Sequence, residues 1–234
     1  MQKSSKINIF INVSMMALVG LIYAGAAVAE QSAGSVGELS GKVTAQSASG
    51  ESRELAVGDK FKVGETIKTG SRSRISMNFA DDSRFELGSR AEMTVESFRG
   101  GKNVKPEEAS FVSKITKGAF RFISGLIARK RPNAMQVRGA VATIGIRGTH
   151  VVGEFDETSG TIILVKPEGE PHPTAIDVSN QYGMVTIDEP GYGTEIPDAN
   201  SPPSPPRRMK ERVIRNMMNS LRAAQRISVP RPRM

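Results

Sequence analysis

The chain has 234 residues, 38% hydrophobic and 24% charged, with no cysteine and no tryptophan. The lack of cysteine excludes disulfides, thiolate metal sites and cysteine nucleophiles together, so an exported fold must stand on its own hydrophobic core, which takes more than about 80 residues. The formal net charge of +8 divides unevenly: of 32 basic and 24 acidic residues, positions 1–29 hold two basic ones and positions 201–234 hold nine basic and one acidic, which leaves 21 against 23 for positions 30–200. The body is close to neutral and the basicity belongs to the tail, so a nucleic-acid-binding body is not expected.

Residues 1–29 read as a cleaved secretory signal. Lys3 and Lys6 make a basic start, Met15–Ala27 is an apolar run, and Ala27-Val28-Ala29 is a small-x-small cleavage site before Glu30. The run is shorter than the roughly 20 residues of a spanning helix; an uncleaved membrane anchor is the alternative. The expected location is the periplasm, or the exterior by secretion.

A β-rich domain is expected over residues 30–196. Short strand-like runs alternate with Gly, Asp and Ser. Glu38–Thr44 breaks at Gly41, Glu54–Val57 ends at Gly58-Asp59, Phe61–Val63 ends at Gly64, and Thr66–Lys68 ends at Thr69-Gly70. Ser73–Phe79 puts Ile75, Met77 and Phe79 on one face and Arg74, Ser76 and Asn78 on the other, the period of a half-buried strand. Asp81-Asp82-Ser83 is a turn, followed by the alternating Arg84–Leu87, the turn Gly88-Ser89 and Glu92–Phe98. Arg99–Glu108 is a polar loop. Phe111–Ile123 is strand, broken by Gly118, with Phe120 and Phe122 on one face. Leu126-Ile127-Ala128 can start a short helix that Pro132-Asn133 ends. Met135–Val141 and Thr143–Phe155 are strands on either side of Ala140–Val152, a stretch of β-branched residues, glycines, Arg147 and His150. Thr161–Val165 reads as an inner strand. Pro167–Pro173 is a loop, Ile176–Val178 and Met184–Ile187 are the last strands, and Pro190-Gly191-Tyr192-Gly193 is a turn. Turns every 8–12 residues or so predict an all-β fold, a β-roll or sandwich of many short strands.

Residues 197–206 form a Pro-rich linker, which Pro202-Pro203 and Pro205-Pro206 hold extended. Residues 207–234 form a basic helical tail, with one amphipathic α-helix over about Arg207–Arg226. Met209, Val213, Met217 and Leu221 recur every four residues as one apolar stripe. Arg207, Arg208, Lys210, Arg212, Arg215, Arg222 and Arg226 surround that stripe, and the first six are candidate surface-binding residues. Three readings stay open: the stripe packs on the β body, the helix lies on an anionic membrane, or it docks in a partner's groove through its methionines. The linker favours a helix that reaches away from the body.

Catalytic and metal chemistry is thinly represented. His150 and His172 have no ligand spacing between them, and a metal site needs converging ligands. Asp81-Asp82 and Asp188-Glu189 lack the spacing of a calcium loop and read as turn residues. Neither G-x-S-x-G nor G-x-x-x-x-G-K-[ST] occurs, and Gly191-Tyr192-Gly193 lacks the third glycine of a nucleotide fingerprint. No catalytic, cofactor-binding or metal-binding residue is assigned and no cofactor is expected.

Four segments carry a resemblance to a known family. Gly64–Gly70 reads G-E-T-I-K-T-G; Ile75–Leu87 is a strand, an acidic turn and a strand; Lys117–Phe122 reads K-G-A-F-R-F; Thr143–Val151 contains Ile146-Arg147-Gly148-Thr149. In this order, over about residues 58–152, the chain resembles the FecR domain, an extracytoplasmic β-rich module. Glu65 replaces the family's usual Asp, and Asp82 stands where its turn often has Gly. The structural signature residues are Gly64, Thr69, Gly70, Gly118, Arg147, Gly148 and Thr149. The glycines allow turns or close approach. Thr69 and Thr149 can bond neighbouring turn backbone. Arg147 needs a carboxylate or carbonyl partner wherever it is buried, and it is read as a structural tie within a closing strand, with a ligand-gripping role as the alternative.

The family's namesake is a signal transducer with a cytoplasmic anti-sigma segment. Almost nothing precedes the signal here, so the expectation is a stand-alone exported protein without the anti-sigma role. The expected function is non-enzymatic: a binding, scaffold or envelope-sensing module acting through protein–protein contacts with an envelope partner. The alternatives are a cell-wall or polysaccharide-acting hydrolase, and a protein attached to anionic membrane by its basic helix.

Overall fold

The computed structural model describes residues 32–101, 103–131, 134–165 and 174–222. The signal segment 1–29, His172 and its loop, and the tail from residue 223, including Arg226, lie outside the described residues. Strands account for 53% of the described residues, and the two helices among them are short, as an all-β reading requires.

The first strands are β1 (Ser32–Ser40), β2 (Val43–Gln46), β3 (Ser52–Glu54), β4 (Lys60–Lys62), β5 (Thr66–Thr69), β6 (Arg74–Phe79), β7 (Arg84–Leu87) and β8 (Glu92–Arg99). The long β9 (Ser110–Ile123) leads into helix α1 (Leu126–Lys130). Then come β10 (Met135–Arg138), β11 (Thr143–Arg147), β12 (His150–Phe155), β13 (Gly160–Val165), β14 (Ala175–Asn180), β15 (Gly183–Ile187), β16 (Tyr192–Ile196), β17 (Arg207–Arg208) and helix α2 (Glu211–Arg222).

Seventeen strands form two sheets joined by one strand. The first sheet runs β4-β1-β6-β7-β9-β12-β13-β16-β17, all antiparallel. The second runs β3-β2-β5-β8-β9-β10-β11-β14-β15, antiparallel except for β9 with β10. The N-terminal half of β9 lies mid-way in the second sheet and its C-terminal half mid-way in the first. Side chains from both inner faces form one core, so the fold is a sandwich.

Gly118 makes that sharing possible. Phe111, Ser113 and Ile115 are buried at odd positions before it, and Phe120 and Phe122 at even positions after it. A one-residue slip reverses which face a strand buries, and the pairing with β8 skips a residue there. Gly118 has φ +99°, and a Cβ on it would lie 2.5 Å from the Ala91 Cβ. The strand is therefore continuous through Gly118 and bends there, where the alternation alone suggested a break.

Ala140–Val152 is likewise a corner and not one closing strand. Gly148, at φ +60°, ends β11 in the second sheet, and β12 starts in the first. The expected turn at Pro190–Gly193 is shorter than predicted. Tyr192 and Gly193 already belong to β16, which pairs with β13 on one side and β17 on the other.

Eight phenylalanines carry the centre of the core. Phe61, Phe79, Phe98, Phe111, Phe122, Phe85, Phe120 and Phe155 touch in an unbroken series, with ring centroids 4.6 to 5.9 Å apart. Offset and edge-on ring contacts at these distances stabilise beyond the area they bury.

The C-terminal segment differs most from expectation. The Pro-rich stretch is held along β16: the Ser204 N–H donates to Glu195 O at 2.9 Å, and the Thr194 hydroxyl donates to Ser204 O at 2.7 Å. Pro205-Pro206 keep the backbone extended, so Arg207 and Arg208 form β17 opposite Gly193 and Tyr192 and are not helical. The helix starts only at Glu211. Its stripe does not reach away from the body. Met217 and Leu221, with Met209 ahead of the helix, pack on Ala119, Val152 and Ile163 on the outer face of the first sheet. Among the described residues no helix is long and apolar enough to cross a membrane.

Candidate contact surface

Three of the signature residues converge on one turn. The Thr69 hydroxyl donates to Gly88 O at 2.6 Å and accepts from the Ala91 N–H at 2.8 Å. Gly70 accepts from the Arg90 N–H, and its missing Cβ would sit 3.2 Å from Lys42 O. Gly118 touches Ala91 from the other side. These groups lock the Gly88–Ala91 turn between the sheets. Gly64, at φ +87°, turns the chain between β4 and β5. Next to it the buried Glu65 accepts from Arg53 at 3.0 and 3.1 Å and from the Lys62 N–H at 2.8 Å.

Gly148 and Thr149 lie at a separate corner. Thr149 bonds Ser124 through its backbone: its N–H donates to the Ser124 hydroxyl and its carbonyl accepts from the Ser124 N–H. The Thr149 hydroxyl is buried without a hydrogen-bond partner among the described residues, so it does not make the turn bond that Thr69 makes. Arg147 points outward from the second sheet. It donates to Asp177 at 3.0 Å, and Asp177 also accepts from the Thr186 hydroxyl at 2.7 Å. One arginine thereby ties β11, β14 and β15, and its side chain is about two-fifths exposed (38%).

The buried acids serve the fold. Burial raises the Asp81 carboxyl above its ordinary 3.8, against opposing hydrogen bonds from the Ser83 hydroxyl, the Ser83 N–H and the Ile127 N–H. Asp81 thus closes the β6–β7 turn and holds the start of α1, whose Leu126 N–H donates to Asp81 O. Asp82 sits at φ +66° in the same turn, a left-handed position that glycine occupies without strain. The carboxylates of Glu65 and Asp81 were invisible to motif reasoning as buried groups; only their places beside Gly64 and in a turn hinted at them.

The candidate contact surface is the basic strip of the C-terminal segment. Arg207, Arg208, Lys210, Arg212 and Arg215 are all exposed, and Arg222 closes the helix that continues the strip. Arg207 pairs with Glu195 at 2.6 Å and Arg215 with Glu211 at 3.8 Å. Arg208, Lys210 and Arg212 have no acidic partner among the described residues. Burial of the apolar stripe underneath fixes this strip to the rigid sandwich.

The geometry of the central strands agrees with the comparison to known families, in which residues 65–170 match the model described as FecR protein. The chain carries a FecR domain. The matched stretch begins one residue after Gly64 and takes in β5 to β13, so it holds both corners and the shared strand. It leaves β1 to β4, β14 to β17 and α2 outside.

Two crystal structures of a candidate anti-sigma factor from Parabacteroides distasonis ATCC 8503, each 8% identical, align over 66% of this chain and 64% of theirs, with TM-scores of 0.49 and 0.50. The likeness is one of fold, and the chain spans less than two thirds of that protein. A structure described as a cell surface anchoring domain is 32% identical over 26% of this chain and 82% of that domain, with a TM-score of 0.26. No curated protein matches the chain.

Proposed function

We propose that this is an envelope-sensing or scaffold module, exported to the periplasm, that acts without catalysis through protein–protein contacts. The basic strip carries the reading. It presents arginines and a lysine without acidic partners on a support that packing has already made rigid, which lowers the ordering cost of binding. The FecR domain and the fold shared with a candidate anti-sigma factor support a place in envelope signalling. The engagement of Glu65 and Asp81 in structural hydrogen bonds favours binding over hydrolysis. A membrane contact would rest on charge alone, because the stripe that would enter lipid is packed against Ala119, Val152 and Ile163.

The partner expected from this chemistry is a protein with an acidic patch. Crosslinking and capture from the native envelope tests it, comparing the wild-type chain with an Arg208→Glu, Lys210→Glu, Arg212→Glu variant. A protein held by the first and lost by the second is the expected result. Capture unaffected by the three reversals would remove the strip from the proposal. Turnover of peptidoglycan or glycan abolished by a single carboxylate substitution would overturn the non-enzymatic reading.

A further inference from the structure

The sandwich has four edge strands, and they are not alike. Phe61 is flanked by Lys60 and Lys62 on β4, Arg53 and Glu54 lie on β3, and β17 is Arg207-Arg208. Charge on an edge blocks the addition of another strand. β15, read G-M-V-T-I, has neither charge nor proline. Two of the four large hydrophobic residues left exposed among the described residues are here: Met184, at 67% exposure, and Tyr182 in the turn before it, at 45%.

The backbone of β15 is also available. A two-residue turn, Gln181-Tyr182, joins β14 to β15 and sets Asn180 opposite Gly183. In such a hairpin the pairs alternate, and the pair flanking the turn exchanges both hydrogen bonds. Val178 with Val185 and Ile176 with Ile187 then do the same. Met184 and Thr186 turn their N–H and C=O away from β14, toward the open edge. No other element among the described residues donates to or accepts from the β15 backbone. Pro202 lies 3.2 Å from where a Cβ of Gly183 would be, so the open stretch starts at Met184.

We propose that β15 is a dimerisation edge whose occupant is β15 of a second copy of this chain, antiparallel about a two-fold axis at Val185. A two-fold contact requires a patch complementary to itself, and the parity of β15 meets this condition. Met184 opposes Thr186 of the second copy, and both turn their hydrogen-bonding groups outward, so four backbone hydrogen bonds close across the axis. In this register Asp188 faces Tyr182 of the second copy, and no like charges stand opposite each other. The outer-face Met184 side chain gains cover beside Thr186 of the second copy. Two short strands bury less than the about 1,200 Å² of a standard interface, so the dimer is a weak one, in the micromolar range.

The inference goes beyond the proposed envelope contact and does not use the basic strip. Sedimentation of the purified chain up to about 0.2 mM covers the affinity expected. A monomer–dimer equilibrium is expected for the wild type, weakened at least about tenfold by Met184→Lys and unchanged by Arg208→Glu. Met184 is exposed, so the lysine variant keeps its fold, which a thermal melt checks. The chain has no cysteine, so Val185→Cys supplies a lone thiol at the axis, and mild oxidation is expected to crosslink it where Ser52→Cys on β3 does not. A chain that stays monomeric, a dimer indifferent to Met184→Lys, or equal crosslinking at both edges would overturn the proposal. Loss of a captured envelope protein in Met184→Lys, from a monomeric chain, would overturn self-pairing in favour of a strand from another protein.

Discussion

The Phe155 ring lies almost parallel to that of Phe120, with 9° between the planes and 5.8 Å between centroids. Glycines make room for both. A Cβ on Gly139 would be 2.0 Å from the Phe155 ring, and one on Gly153 would be 2.5 Å from that of Phe120. Neither ring is a flexible chain end that can swing aside. Gly153→Ala and Gly139→Ala are expected to destabilise by about 1–3 kcal/mol each, as overpacking does. Urea unfolding followed by far-UV circular dichroism measures it.

Arg147→Ala removes an ion pair that is more than a third exposed on the arginine side and nearly so on the aspartate side. Solvent screening keeps such a pair to about 1 kcal/mol or less. A double-mutant cycle with Asp177→Ala is expected to return a coupling of that size. A large loss of partner capture with unchanged unfolding would return Arg147 to the list of contact residues.

Asp81 titrates in the opposite sense to a salt-bridged acid. Burial raises its folded-state pKa above the unfolded value of 3.8, so the native state holds the proton more tightly than the unfolded chain does. The stability it contributes is complete below about 3.8 and is lost as pH rises through the raised pKa. Asp81→Asn removes that dependence and keeps an acceptor for the Ser83 N–H. The Tm of the variant minus that of the wild type is expected to become more positive from pH 4 toward neutrality. A difference that is flat with pH would contradict the assignment.

Leu221, 4% exposed, anchors the last described turn of α2. Leu221→Ala is expected to cost about 2–3 kcal/mol of local stability, within the range for buried leucines. The loss is local, because α2 contacts one outer face only. Hydrogen exchange is expected to quicken across residues 211–222 while β12 and β13 keep their protection.

Much of the sandwich was legible because its strands bury one face. Ile75, Met77 and Phe79 alternate with polar residues, and the buried set in β6 includes all three. Thr69, Gly70 and Gly148, quoted for the resemblance, lie inside the matched stretch 65–170, and Gly64 lies one residue ahead of it. Thr161–Val165 was readable as an inner strand for a reason that also shows where α2 lands. Its apolar residues do not alternate, since Ile162 and Leu164 face the core and Ile163 faces the helix.

β16 and β17 escaped because pairing, not pattern, makes them strands. Thr194 is fully buried and polar, and its hydroxyl is satisfied by Ser204, a partner ten residues away that no local periodicity announces. Met209 continued the helical stripe arithmetically from Val213, yet Pro205-Pro206 keep the backbone ahead of it extended. The open edge at β15 was equally hidden, since edges are defined only once the strand order is known.

The strand shared through Gly118 has a mechanical meaning. Two sheets held only by side chains can slide or part when something binds, whereas here a covalent strand threads the middle of both. Separation would have to strip β7, β8, β10 and β12 from β9 together. In the sensing role proposed above, opening of the two layers is therefore a poor route for a signal. α2, packed on one outer face, is the piece that can separate without breaking the shared strand.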